Sequence, residues 1–227
     1  MLNIITALKI EAKEIINHFK LKQINGIYQN DKINLIITGS GKIKSAINTA
    51  LLLQKYPYKS VNFGIAGSNK FEVGDGFFIE KIIDEDSKYE YYPDYFKNSA
   101  TLHTVSKIGK YYELVDMEGS GFFEAAYKFL SVEKIILYKI VSDTPKEKPK
   151  NIQELIKKHI PILEEMIEEK KEEELEINSE FLTHSMKSEL KNLLTYAKLT
   201  NTKIKIPEFK SKKEAKEFIR KLNDILC

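Results

Sequence analysis

The chain is poor in the residues that build cross-linked or metal-held folds. It has one cysteine in 227 residues, Cys227, so no internal disulfide can form and a reducing compartment suits it. Its four histidines, His18, His103, His159 and His184, are scattered. None stands at ligand spacing from another histidine or the cysteine, which argues against a metal site. No apolar run approaches the length of a membrane span. The opening run from Met1 meets Lys9 and Glu11 too soon for the core of a secretion signal, so a cytoplasmic protein is expected. Arginine is almost missing too, with Arg220 the single one. The net charge of +3 is too small an excess to argue for nucleic acid or an anionic membrane.

What is present suffices for a packed core: 42% of residues are hydrophobic, which excludes wholesale disorder. Short apolar runs at Leu2 to Leu8, Ile33 to Thr38, Ser60 to Ile65, Phe77 to Ile83, Thr101 to Ile108 and Ile135 to Val141 predict strands. Helical spacing predicts helices over Glu11 to Phe19, Ile43 to Leu53, Glu118 to Leu130 and from Ile152 onward, the last kinked or restarted at Pro161. Val73-Gly-Asp-Gly76 is a turn signal, and residues 84–100, polar and tyrosine-rich, read as a surface excursion. Strand, glycine loop, helix, strand is the βαβ pattern. The expectation is therefore an α/β fold with a mixed, mainly parallel central sheet flanked by helices. An α/β domain over 1–176 is followed by a C-terminal helical extension over 177–227. That extension holds amphipathic helices over Phe181 to Leu199 and Ser211 to Leu226, with Ser211 as an N-cap and an extended piece at Thr202 to Pro207 between them.

Several residues could carry chemistry. Ligands of such sheets collect at the carboxyl ends of the strands. Glu11 follows the first strand and faces the same sheet edge as Asp143 if both strands are parallel; otherwise it is an exposed first-turn acid favoured by the helix dipole. Thr38-Gly-Ser-Gly-Lys42 is a glycine loop whose N–H groups can hold an anion or a sugar hydroxyl, or simply a tight turn; it matches neither the P-loop nor the dinucleotide fingerprint. Gly64-Ile-Ala-Gly67 is a second small-residue loop at a strand end. Met117-Glu118 joins an apolar wall to a carboxylate that can accept from two neighbouring hydroxyls, or Glu118 is a helix-start acid. Asp143 ends an apolar strand. Desolvation of a carboxyl favours its neutral form, which makes an acid there a candidate proton donor, or else a cap of the following loop.

Ala7-Leu-Lys-Ile-Glu11, Thr38-Gly-Ser-Gly-Lys42, Gly64-Ile-Ala-Gly67, Val73-Gly-Asp75, Val115-Asp-Met-Glu118 and Val141-Ser-Asp143 occur in an order that resembles the purine nucleoside phosphorylase superfamily. Within it the chain is most similar to the methylthioadenosine/S-adenosylhomocysteine nucleosidases, over about residues 2–170. The resemblance implies hydrolysis of the N-glycosidic bond of an adenine nucleoside of the methylthioadenosine, S-adenosylhomocysteine or 5′-deoxyadenosine type. It assigns Asp143 to protonating purine N7 and Glu11 to activating the attacking water. Glu118 would hold the 2′ and 3′ hydroxyls and Met117 would pack on the sugar. Ser142, Ala66, Gly67, Ile65, Leu8 and Ser40 would complete the substrate site. An aspartate at position 143 suits a 6-amino purine. Phosphorylases of the superfamily bind phosphate with arginines, and none lies near either glycine loop, which favours water. No cofactor and no metal are implied, the partner is a small nucleoside, and a homodimer is expected. Neither a membrane nor a nucleic acid is expected as a partner.

Two departures stand out. The family nucleosidases carry a serine where Ile65 stands, and a stretch roughly twice as long between the Val-Gly-Asp turn and the Met-Glu pair. Tyr111, Tyr112 or the tyrosines of residues 89–96 are the candidates for stacking on the base. Two other readings are a phosphate-dependent phosphorylase and a non-catalytic nucleoside binder whose C-terminal helices dock a partner.

Overall fold

The computed structural model describes residues 1–94, 98–107, 109–149, 151–168, 181–183 and 211–226, with single positions 186, 190, 193, 204, 207 and 209. The chain divides into two compact units, 1–168 and 169–227.

In the first unit, β1 (Leu2–Thr6) is buried along its whole length. It pairs in parallel with β4 (Ile33–Ile37) on one side and β5 (Ser60–Gly67) on the other. β5 pairs in parallel with β10 (Ile135–Asp143). Contiguous apolar runs suit these strands because helices cover both faces of the sheet. On one face α1 (Lys9–His18) and α4 (Ile152–Glu168) bury Ala12, Ile15, Ile156 and Leu163 against Ile4, Phe63, Tyr138 and Ile140. On the other face α2 (Lys42–Lys55) and α3 (Gly119–Ala126) bury Leu52, Leu53, Phe122 and Ala126 against Ile5, Leu137 and Val141. β10 alternates between the two layers, as a strand with a period of two must.

The sheet also curls. β10 pairs antiparallel with β6 (Gly76–Asp84), β6 in parallel with β8 (Ser99–Thr104), and β8 in parallel with β9 (Leu114–Asp116). β9 then returns to β5 through Gly67 opposite Val115, which closes a ring of five strands. β7 (Glu90–Tyr91) hangs on β6.

Several expectations change. Gly64-Ile-Ala-Gly67 is not a loop: β5 runs through Gly67, because β10 pairs with it to its end. The strand expected over Thr101 to Ile108 is shifted to Ser99–Thr104, and Ile108 lies outside the described residues. The surface excursion over 84–100 holds the end of β6, β7 and the start of β8. Helix α4 continues through Pro161 to Glu168. A hairpin of β2 (Lys22–Ile24) and β3 (Ile27–Gln29) was not anticipated. Its turn is Asn25-Gly26, with positive φ at both residues (50° and 84°), the conformation a tight two-residue hairpin needs.

In the second unit, α5 (Lys212–Leu226) is capped by Ser211, whose Oγ accepts from the Glu214 N–H at 3.2 Å. Its Ala215, Ile219 and Leu222 form a core with Leu182, Met186, Leu190, Leu193 and Phe209. The rest of the helix expected over Phe181 to Leu199, most of the extended piece to Pro207, and the acidic run beyond Glu168 lie outside the described residues. Among the described residues no helix is long and apolar enough to cross a membrane.

Candidate active site

β1, β5 and β10 are parallel, so their carboxyl ends gather at one sheet edge. Glu11 sits there, in the first turn of α1, and is 2% exposed, which removes the reading of a surface helix acid. Its Oε2 accepts from the Ala7 and Leu8 N–H groups at 3.0 and 2.7 Å, and its Oε1 from the Ile65 N–H at 3.0 Å. Gly64 makes room for this: a Cβ there would stand 2.7 Å from Oε1. Burial raises the Glu11 pKa above the ordinary glutamate value, and the backbone donors and Lys139 oppose that only in part. A carboxylate so placed is more basic than an exposed one, which suits a general base.

Glu118 stands at the N-cap of α3 and is buried. Its Oε1 accepts from Ser40 Oγ and from the Gly41 N–H, both at 2.8 Å. The glycine loop before α2 does hold an anion, and that anion is Glu118 itself. Burial first and the Asp116 charge second raise its pKa. Those two donors saturate Oε1, while among the described residues Oε2 accepts only from the Met117 N–H at 3.3 Å and keeps a lone pair, so a second sugar hydroxyl would take the place of the Ser40 hydroxyl.

Asp143 is the last residue of β10 and is half-buried. Two hydroxyls donate to it: Ser142 Oγ to Oδ1 at 2.6 Å and Tyr111 Oη to Oδ2 at 2.8 Å. The bond to Asp143 is the main reason the Tyr111 pKa is raised.

Sequence reasoning passed over Lys139 and Asp116. Lys139 lies inside β10 and is 2% exposed; its Nζ is 2.8 Å from Asp116 Oδ2. Asp116 also accepts from Thr104 Oγ1 at 2.8 Å and the Gly119 N–H at 2.9 Å. Burial pulls the Lys139 pKa down, but Asp116, Glu118 and Glu11 outweigh it and hold the ammonium above its usual value. The available signal was a lysine in an otherwise apolar strand, since a buried lysine needs anions around it.

All ten predicted site residues line one cavity: Leu8, Glu11, Ser40, Ile65, Ala66, Gly67, Met117, Glu118, Ser142 and Asp143. Ala7, Val105, Lys110, Tyr111, Val115 and Asp116 complete the lining. Of the aromatic candidates, Tyr111 is in the wall, whereas Tyr112 stacks on His103 with centroids 4.2 Å apart. Tyr91 hydrogen-bonds to Glu124, Tyr89 and Tyr92 are exposed, and Tyr95 and Phe96 lie outside the described residues. Among the described residues no group of three histidine, cysteine, aspartate or glutamate side chains could hold a metal ion.

No family model matches the chain, and no curated protein matches it in sequence. Solved structures do match in fold. The 5′-methylthioadenosine nucleosidase of Arabidopsis thaliana, in apo form, superposes with a TM-score of 0.64 at 15% identity, over 74% of this chain and 95% of that one. The 5′-methylthioadenosine/S-adenosylhomocysteine nucleosidase of S. pneumoniae, with a transition-state inhibitor, gives 0.60 at 18% identity, over 73% and 97%. The futalosine hydrolase of Helicobacter pylori gives 0.61 at 14%, over 74% and 97%. The fold is thus the one these nucleosidases share.

Proposed function

We propose that the chain hydrolyses the N-glycosidic bond of an adenine nucleoside with a thioether or deoxy group at the 5′ carbon, releasing adenine. The observation that carries this is the grouping of Glu11, Glu118 and Asp143 around one cavity at the carboxyl edge of the sheet. The three differ in environment. Glu11 is buried and ringed by backbone donors, Glu118 is held by a serine and a helix N-terminus, and Asp143 is met by two hydroxyls. Carboxyls in different settings can take different parts in one reaction. In this reading Asp143 gives its proton to purine N7 as the C1′–N9 bond breaks and its electron pair passes to the base. The water oxygen bonds to C1′ and its proton passes to Glu11. Glu118 accepts from the 2′ and 3′ hydroxyls, with the Met117 side chain against the sugar. The solved nucleosidases of the same fold support the reaction class.

The same reading includes cytoplasmic residence and a homodimer. On α2, Ile43, Ile47 and Leu51 are 76%, 55% and 59% exposed at a spacing that puts them on one face. A second copy of the chain is the occupant we assign to that face.

The test is adenine release from methylthioadenosine, S-adenosylhomocysteine and 5′-deoxyadenosine, with and without inorganic phosphate. Release without phosphate is expected. Release that needs phosphate would replace hydrolysis by phosphorolysis. Binding of these nucleosides without release would leave a non-catalytic binder.

A further inference from the structure

The residue that meets the proposed leaving-group acid is not one the motifs assign. Tyr111 Oη donates to Asp143 Oδ2 at 2.8 Å, and its ring lies against the end of β5. Gly67 makes that approach possible: a Cβ there would stand 3.0 Å from Tyr111 Cε1 and 3.3 Å from Asp143 Oδ2. The tyrosine is held from behind. Asn69 Nδ2 donates to the Tyr111 carbonyl at 3.2 Å, and the Asn69 N–H to the Tyr112 carbonyl at 2.9 Å. The backbone that carries the phenol is thus tied to the residues after β5, and the phenol lines the wall.

We propose that Tyr111 is a positioning residue for the leaving-group acid: its hydroxyl fixes the Asp143 carboxyl and takes up the charge that forms there as the base departs. The inference rests on the nucleosidase reading above. When Asp143 passes its proton to N7 and the C1′–N9 electron pair moves into the purine, a carboxylate is left behind. A hydroxyl already aimed at Oδ2 stabilises that carboxylate more than the neutral acid, so it acts on the transition state rather than on binding. Ser142 does the same for Oδ1. Each carboxylate oxygen accepts twice, so both retain a lone pair for the purine.

Tyr111→Phe keeps the ring and removes the hydroxyl. With methylthioadenosine the expected result is a fall in kcat of about tenfold to a hundredfold, the range for one hydrogen bond to a charged group, with KM within about twofold. Turnover of 4-nitrophenyl riboside, whose leaving group needs no proton, should be unchanged. Asn69→Ala, which loosens the tyrosine from outside the cavity, should lower kcat in the same sense by less. A fall in KM at constant kcat would show that the hydroxyl competes with the base for Asp143, and would overturn the proposal. So would equal losses on both substrates, or no change in either. A wild-type chain that releases no adenine would overturn the nucleosidase reading itself, which is a separate outcome.

Discussion

Lys139 Nζ and Asp116 Oδ2 meet at 2.8 Å with both side chains out of water, beside a cavity that also carries Glu11, Glu118 and Asp143. The ammonium is what allows so many acids to share one desolvated place. Replacing it with methionine leaves Asp116 buried without its counter-charge. The expected loss is about 3–5 kcal/mol of folding stability, typical of a broken buried pair. Urea unfolding of Lys139→Met measures it, and a loss below about 1 kcal/mol would show that the pair is not holding the acids.

The raised pKa of Glu11 fixes the sign of one pH effect. A general base works only when ionised, so activity falls as pH drops through its pKa. Because burial moves that pKa up, the acidic limb of kcat/KM should lie above the ordinary glutamate value of 4.5. A rate profile from acid to neutral pH locates it; a limb at or below that value speaks against Glu11 as the base.

Gly64→Ala tests how Glu11 is held. The added methyl would lie 2.7 Å from Oε1, so the carboxylate must leave the Ile65 N–H. Activity should drop by about tenfold or more, since misplacing a catalytic group by about 1 Å can cost a hundredfold. A variant with the wild-type rate would mean that the Ile65 contact does not set the position of the base.

Glu118→Gln should raise KM for nucleosides by about tenfold, because an amide offers one accepting oxygen where the carboxylate offers two. Ser40→Ala should act in the same direction and less strongly, since it removes one of the donors that orient Glu118. Steady-state kinetics separate this from an effect on kcat, and a pure kcat effect would move Glu118 out of the sugar-binding role.

The α2 face gives a prediction about assembly. Ile47→Lys puts a charge in the middle of an exposed apolar stripe. Light scattering should report a dimer for the parent chain and a monomer for the variant. Two dimers would place the interface elsewhere.

Much of this arrangement was legible in the residues because the signals were local. Each βαβ unit carried its strand, its small-residue turn and its helix in one stretch, and the acids followed strands directly. What escaped was non-local. Lys139 and Asp116 are on β10 and β9, which flank β5 on either side in the closed ring, and nothing near Lys139 in sequence announces its partner. β9 is three residues long and makes sense only because β8 and β5 are there to receive it. Tyr111 was one tyrosine among several until the Asn69 contacts fixed it beside Asp143. The β2–β3 hairpin was legible, in Asn25-Gly26, and was missed because its strands are short, β2 exposed and β3 only half-buried.

The carboxylates of Glu11, in the first turn of α1, and Glu118, which reaches the N-cap of α2, have an electrostatic consequence for the choice of nucleophile. A helix N-terminus is where a phosphate dianion would ordinarily settle. Here the Ala7 and Leu8 N–H groups are engaged by Glu11, and the Gly41 N–H by Glu118. An incoming phosphate would find these donors taken and would approach negative charge of its own sign. A water molecule meets no such repulsion, so in the proposed reaction the chain's own carboxylates would act as a filter that favours a neutral attacker over a charged one.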